Sequence, residues 1–220
     1  MNIISVKMYL VELYKIIEDG ENSQVEFKRK FTEAQKIAKE MIAFANTKGG
    51  MILFGVDDDR EIYGISSEKS EIELIDTAAK FYCEPEVQYT YEIISMKKKD
   101  ILIIHIPESK NKPHYLINDV SDVKRVYIRD KDASVIASKE TINILKHSNP
   151  DSKPLVISYG KNEKILMEYL SEHNRITVKE FKKLANISER RAGRTLVNLV
   201  RAQVIRHNRD GNYEYYTLIT

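Results

Sequence analysis

Three groups of residues in this 220-residue chain carry enough chemistry to organise its reading. Near the C-terminus, RRAGRTLVNLVRAQ sets Arg190, Arg191, Arg194 and Asn198 against Ala192, Leu196 and Leu199 at helical spacing, with polar groups on one face and apolar ones on the other. Arginine can bridge guanine O6 and N7 or grip a phosphate, and asparagine can pair with adenine, which is what a helix lying in a DNA groove needs. A few residues on, Arg206, His207, Asn208 and Arg209 lead into Asp210-Gly211, a hairpin signal between two extended segments. Towards the N-terminus, VEFK alternates Val25 and Phe27 with Glu26 and Lys28, placing a carboxylate and an amine side by side on one strand face. Gly20, Asn22 and Ser23 make a turn that could swing Glu21 round to Glu26. Asp57, Asp58 and Asp59 occupy a tight turn at a strand end, and in RVYIR the side chains of Arg125, Tyr127 and Arg129 share a face opposite Val126 and Ile128.

Each group also has a plain structural reading. Glu26 could pair with Lys28 or Arg29 at a solvated strand edge, and aspartates in a turn cap local backbone N–H groups. The arginine face would also suit a winged helix that contacts only protein. Gly193 inside the same helix costs up to ~1 kcal/mol against alanine, which points to close approach by another backbone.

The elements that must position these residues follow from periodicity. A helix over about Val6–Ile17 precedes VEFK. Ala34, Ile37, Ala38, Met41, Ile42 and Ala45 then mark a core-facing helix, with Thr32 as N-cap, Gln35 as its capping-box partner and Gly49-Gly50 as its stop. MILFGV is a continuous apolar run of strand length and reads as a central strand, after which EIYGI returns as a short one. A second helix spans Glu71–Phe81, VQYTYEII and ILIIHI form a hairpin, and SKETINILKH closes the domain. Helices among mostly antiparallel strands define an α+β domain over 1–148. NPDSKP marks a linker over 149–160. In 161–220, three helices and a hairpin spell a winged helix-turn-helix.

Charge divides along the same line. The net charge of +2 hides +5 on 161–220, from 12 Lys and Arg against 7 Asp and Glu, and −3 on the first 160 residues. A basic terminal module implies an anionic partner, most simply nucleic acid. Cys83 is the only cysteine, which excludes an intramolecular disulfide and a Cys-rich zinc site and fits a reducing compartment. The five histidines lack metal-ligand spacing, no apolar run reaches the ~18 to 20 residues of a membrane span, and the N-terminus lacks a signal-peptide cleavage site. A cytoplasmic location is the expectation.

ENSQVEFK, AFANTKGG and GVDDDREIYGI together, with KPHY and the terminal VYIRDKDAS, resemble the Schlafen AlbA-type domain over about Leu10–Ala137. That domain occurs in proteins described as bacterial transcriptional regulators and in the core of animal Schlafens. The resemblance implies nucleic-acid engagement, and from the animal proteins a metal-dependent cleavage of structured RNA by three acids, whose positions here match Glu21, Glu26 and Asp58. Hard carboxylate oxygens suit Mg²⁺ or Mn²⁺, which can activate water and neutralise charge on a phosphoryl group, and Lys28 could hold a phosphate. The two-lobed core and zinc site of the animal proteins are missing, and a homodimer would supply a second lobe. An ATP site gains nothing from TKGG, which follows a helix and precedes a strand, the reverse of a phosphate-binding loop.

The expectation is therefore a cytoplasmic, prokaryotic DNA-binding transcriptional regulator, dimeric and needing no cofactor. Duplex contact falls to Arg190, Arg191, Arg194, Asn198, Arg206 and Arg209, with Arg125 and Arg129 on a second, RNA-facing surface. The alternative is a Mg²⁺- or Mn²⁺-dependent endoribonuclease acting on structured RNA such as tRNA through Glu21, Glu26 and Asp58.

Overall fold

A computed structural model describes residues 8–31, 33–118, 121–149 and 159–219, and the chain divides into two compact units, Met1–Ala137 and Ser138–Thr220. In the first, α1 (Leu10–Asp19), β1 (Val25–Lys28), α2 (Ala34–Asn46) and β2 (Gly50–Phe54) are followed by α3 (Glu68–Phe81) and β3 (Cys83–Glu84). The hairpin of β4 (Thr90–Met96) and β5 (Lys99–Ile106) comes next, then β6 (Tyr115–Asn118), β7 (Ser121–Arg125), β8 (Tyr127–Asp130) and β9 (Ala133–Ile136). The main sheet has the order β1-β2-β5-β4, in which only β1 and β2 run parallel. A three-stranded sheet, β3-β6-β7, and the β8–β9 hairpin are antiparallel. The unit is thus α+β with mostly antiparallel strands, as expected.

MILFGV is unbroken by polar residues because β2 is covered on both sides. Ile52 and Phe54 enter one core with Ile37, Met41 and Phe44 of α2, while Leu53 enters another with Leu13 and Ile17 of α1. Full burial of such a side chain stabilises by about 1.5–3 kcal/mol. Strand parity then fixes β1. Val25 and Phe27 join the α1-side core, so Glu26 and Lys28 project to the side covered by α2. Thr32, the expected N-cap of α2, lies outside the described residues, and Glu33 holds the N-cap position without a side-chain cap. The return strand expected at EIYGI is reduced to one bridge between Val56 and Ile62.

The second unit comprises α4 (Lys139–Lys146), α5 (Lys161–Glu172), α6 (Val178–Leu184), α7 (Glu189–Arg201) and the antiparallel hairpin of β10 (Ile205–Asp210) and β11 (Tyr213–Leu218). Leu166, Leu170, Phe181, Leu196, Leu199 and Tyr216 form its core. Ile176 adds a third short extended piece by exchanging backbone hydrogen bonds with Tyr216, at 3.0 and 2.8 Å. Thr177 and Glu180 cap α6 reciprocally, and Ser188 caps α7 by accepting from Arg191 N.

The boundary falls earlier than the expected 148. SKETINILKH forms α4, but this helix packs on α7, and its Thr141 Oγ1 donates to Glu214 Oε1 at 3.2 Å. Its amphipathic pattern specifies a helix without specifying which core receives it. Of the expected linker, residues 150–158 lie outside the described residues.

Candidate functional site

The polar side of β1 is not a solvated edge. Glu26 is only 7% exposed, and both carboxylate oxygens are taken: Oε1 in a close ion pair with Lys28 and Oε2 by Arg129 Nη1 at 2.9 Å. Arg129 Nη1 also donates to Glu40 Oε2 and Ser134 Oγ, each at 3.1 Å, and Nη2 donates to the carbonyls of Asn22 and Asp132, each at 2.9 Å. Its guanidinium carbon sits 4.6 Å from the centre of the Phe44 ring, and its Nε is a buried donor without a hydrogen-bond partner. One cation thereby ties β1, α2, the turn before β1 and the turn between β8 and β9. A buried group of this kind adds little net stability against an apolar replacement, but removing one member costs about 3–5 kcal/mol because uncompensated charge stays inside.

Arg129 is therefore not the nucleic-acid contact expected of it. The parity of RVYIR holds, since Tyr127 and Arg129 share a face, but α2 covers that face and both residues are buried. Arg125 is exposed at the end of the preceding strand, so the two guanidinium groups do not form one surface.

Glu21 does swing back onto β1, where its Oε1 accepts from Phe27 N–H at 2.7 Å. Partial burial raises its pKa above the ordinary carboxylate value. The Phe27 N–H and Lys28 oppose that rise, while Glu26 and Asp58 add to it. Glu26, Lys28 and Asp58 thus all act on Glu21. The three acids do not make a ligand set: among the described residues, no group of three or more His, Cys, Asp or Glu side chains is arranged to hold a metal ion. The physical reason is visible at Glu26, whose two oxygens already face cations. Asp58 stays exposed in its turn, and Asp57 has the turn role, accepting from Glu61 N–H at 2.9 Å. As folded, these donors do not fit a divalent cation.

In the second unit, α7 presents Arg190, Arg191 and Arg194 to solvent, and none of the three has an ion-pair partner among the described residues. Asn198 is half-buried beside them, and Ala192, Leu196 and Leu199 line the core as expected. Gly193 and Val197 form a further buried strip beneath α4. A Cβ on Gly193 would lie 2.6 Å from Glu140 Oε1, so the near neighbour is the movable tip of an α4 side chain and not the backbone expected there. On the hairpin, Arg206 is exposed. Arg209 is not freely available there, because its Nη1 pairs with Glu214 at 3.0 Å and its Nε donates to Gly211 O at 2.8 Å. Burial would raise the pKa of Glu214, yet His207, Ser138 and Arg209 hold it below the ordinary value.

Sequence reasoning missed Glu40, Ser134 and Asn46. Asn46 is buried and brackets two distant segments: its Nδ2 donates to the carbonyls of His114 and Tyr127, each at 3.0 Å, and its Oδ1 accepts from His114 N at 2.8 Å. The available signal was the polar residue set among the apolar positions of α2.

With this geometry in view, the class of the first unit is plain. The sequence model of the family described as Schlafen, AlbA_2 matches residues 21–138, ending one residue past the boundary of the compact unit, and the chain belongs to that family. An uncharacterized ATP-binding protein of Ureaplasma parvum is 34% identical over 92 residues, covering 39% of this chain and 26% of its own, so the chain spans about a quarter of that relative's length. Similar solved structures include a protein of Corynebacterium diphtheriae (16% identity, TM-score 0.43, 66% of this chain and 29% of that one). Another is the N-terminal domain of a RecG-related protein from Nitrosomonas europaea (19% identity, TM-score 0.40, 69% and 94%). Among the described residues, no helix is long and apolar enough to cross a membrane.

Proposed function

We propose that this chain binds nucleic acid as a DNA-binding transcriptional regulator, with its second unit acting as a winged helix-turn-helix and α7 as the helix that meets the duplex. The observation that carries the reading is the trio Arg190, Arg191 and Arg194, exposed on one helix and lacking ion-pair partners among the described residues. Unpaired guanidinium groups on a rigid helix are matched to phosphate oxygens and to guanine edges. Arg206 extends the cationic surface along the hairpin, and the net +5 of 161–220 favours the same partner. A homodimer would present two α7 helices to half-sites about 34–36 Å apart. A cytoplasmic setting accords with Cys83, whose thiol burial pushes up to about 12 and so keeps unreactive.

The test is a gel shift on the full chain with a library of duplexes. The Arg190→Ala, Arg194→Ala double variant should lose affinity on every duplex the parent binds, and unchanged affinity would refute the reading.

An ATP-binding role, which the Ureaplasma relative's name carries, finds no seat at TKGG. A Cβ on Gly49 would meet Ile106 O at 2.6 Å and one on Gly50 would meet the Phe44 ring at 2.4 Å, so these glycines serve close packing of the turn between α2 and β2, against the end of β5 and against Phe44. The metal-dependent nuclease reading draws on the effect of Glu26 and Asp58 on Glu21, and it requires Glu26 to leave Arg129 and Lys28 first.

A further inference from the structure

Between α4 and α7 lies a cleft of about 750 Å³. We propose that it is a binding site for a small, multiply charged oxyanion, a phosphate-bearing or polycarboxylate molecule, held by cations from both helices. Lys139 lines the α4 wall, and Arg190, Arg194 and Arg201 line the α7 wall. Two carboxylates share the cleft, but Glu189 is already paired with Lys182 at 3.2 Å. That leaves Glu140, which lies against Gly193 on the floor. Asn143 and Asn198 add amide donors and acceptors from opposite walls, suited to orienting a ligand once its charge is met.

Size and shape favour a small ligand over a duplex. The volume falls within the ~300–1,000 Å³ of small-molecule sites. A DNA major groove about 12 Å wide admits one helix of about 10–12 Å diameter, not two side by side. With α4 against Gly193 and Val197, the side of α7 bearing Arg190 lies at the rim of a groove and not at its bottom, which leaves Arg190 within reach of a second anion in the cleft. Arg194 lines this cleft and is also exposed on the open face of α7. A ligand bridging Lys139 to Arg190 and Arg194 would draw the arginine heads off the duplex. Ligand binding stands independently of the DNA reading, and only that antagonism rests on it.

The experiment uses the full chain with pyrophosphate, ATP and citrate as separate probes, which distinguish inorganic phosphate, nucleotide and carboxylate sources. At least one should raise the melting temperature by several degrees as its concentration rises. Calorimetry should then show Lys139→Glu weakening that probe about tenfold or more, one tenfold step being 1.4 kcal/mol. Lys146→Glu, the same charge change on the same helix outside the cleft, should leave it unchanged. An acid in the first turn of α4 suits the helix, so Lys139→Glu should fold. No shift with any probe, or equal weakening by both variants, would overturn the site. In gel shifts the active probe should reduce duplex affinity of the parent but not of Lys139→Glu. Probe binding without duplex binding would keep the cleft and remove the DNA reading, and duplex binding without probe binding would do the reverse.

Discussion

Arg129 reaches Glu26 across 103 positions of sequence, Nη1 to Oε2 at 2.9 Å, with the guanidinium wholly buried. Glu40 shares the same nitrogen, so two carboxylates share one wholly buried cation. Arg129→Met should destabilise the first unit by about 3–5 kcal/mol in chemical denaturation, because both acids would lose their buried counter-charge and keep only the part-exposed Lys28 and Lys39 beside them. Adding Glu26→Gln and Glu40→Gln should recover much of the loss. Failure to recover would mean that packing on Phe44, not charge, dominates.

Glu21 carries a pH signature. Its folded-state pKa is raised, chiefly by burial, above the 4.5 of an ordinary glutamate. Between the two values the folded state holds more protons than the unfolded one, so stability falls as pH rises through that window. Glu21→Gln keeps an oxygen for the Phe27 N–H while removing the charge. The variant should therefore be modestly more stable than the parent at neutral pH and indistinguishable from it well below 4.5. A stability gain that persists in acid would contradict this origin.

Duplex binding by α7 should be steeply salt-dependent, since each phosphate neutralised releases counterions. Removing Arg190 and Arg194 together should flatten the slope of log K against log salt by about 2 if both reach phosphate. Equilibrium titrations at several salt concentrations read this directly. Thermal stability should change little, because both side chains are exposed.

Glu26 is committed to cations in the folded protein, so purified protein incubated with tRNA and Mn²⁺ or Mg²⁺ should leave the RNA intact. Metal-dependent cleavage by the parent that Glu26→Ala loses would establish the nuclease reading instead. Cleavage by both would identify a contaminant.

Gly49 has φ +71 and its missing Cβ would fall 2.6 Å from Ile106 O and 2.8 Å from Glu108 N. Backbone cannot yield as a side-chain tip can, so Gly49→Ala should cost about 2 kcal/mol or more, combining left-handed strain with the clash. A thermal melt checks it, and ATP affinity, if any is found, should not depend on this position.

Local pattern carried the sequence reading a long way. The unbroken MILFGV run identified a central strand because both faces of β2 are covered, and Ala192, Leu196 and Leu199 identified the buried side of α7. Alternation in VEFK and RVYIR told which residues share a face, but parity is silent on what covers that face. Glu26 and Arg129 therefore read as surface groups until the fold brought α2 over both. Similarly, SKETINILKH announces a helix but not its host, since its packing on α7 joins segments some fifty residues apart. Arg209 looked available because its acid, Glu214, lies across a hairpin, a relation visible only once the register of β10 and β11 is known.

The cation that closes the first unit comes from one of its last strands, while the acids it neutralises come from one of the first strands and helices. A ribosome delivering this chain releases Glu26 and Glu40 long before Arg129, and until then the two acids lack their buried cation and have the part-exposed Lys28 and Lys39 beside them. Such a domain locks late, after nearly all of it has emerged. Fragments trimmed ahead of residue 129 for expression should consequently be soluble only as long as their half-built centre stays wet.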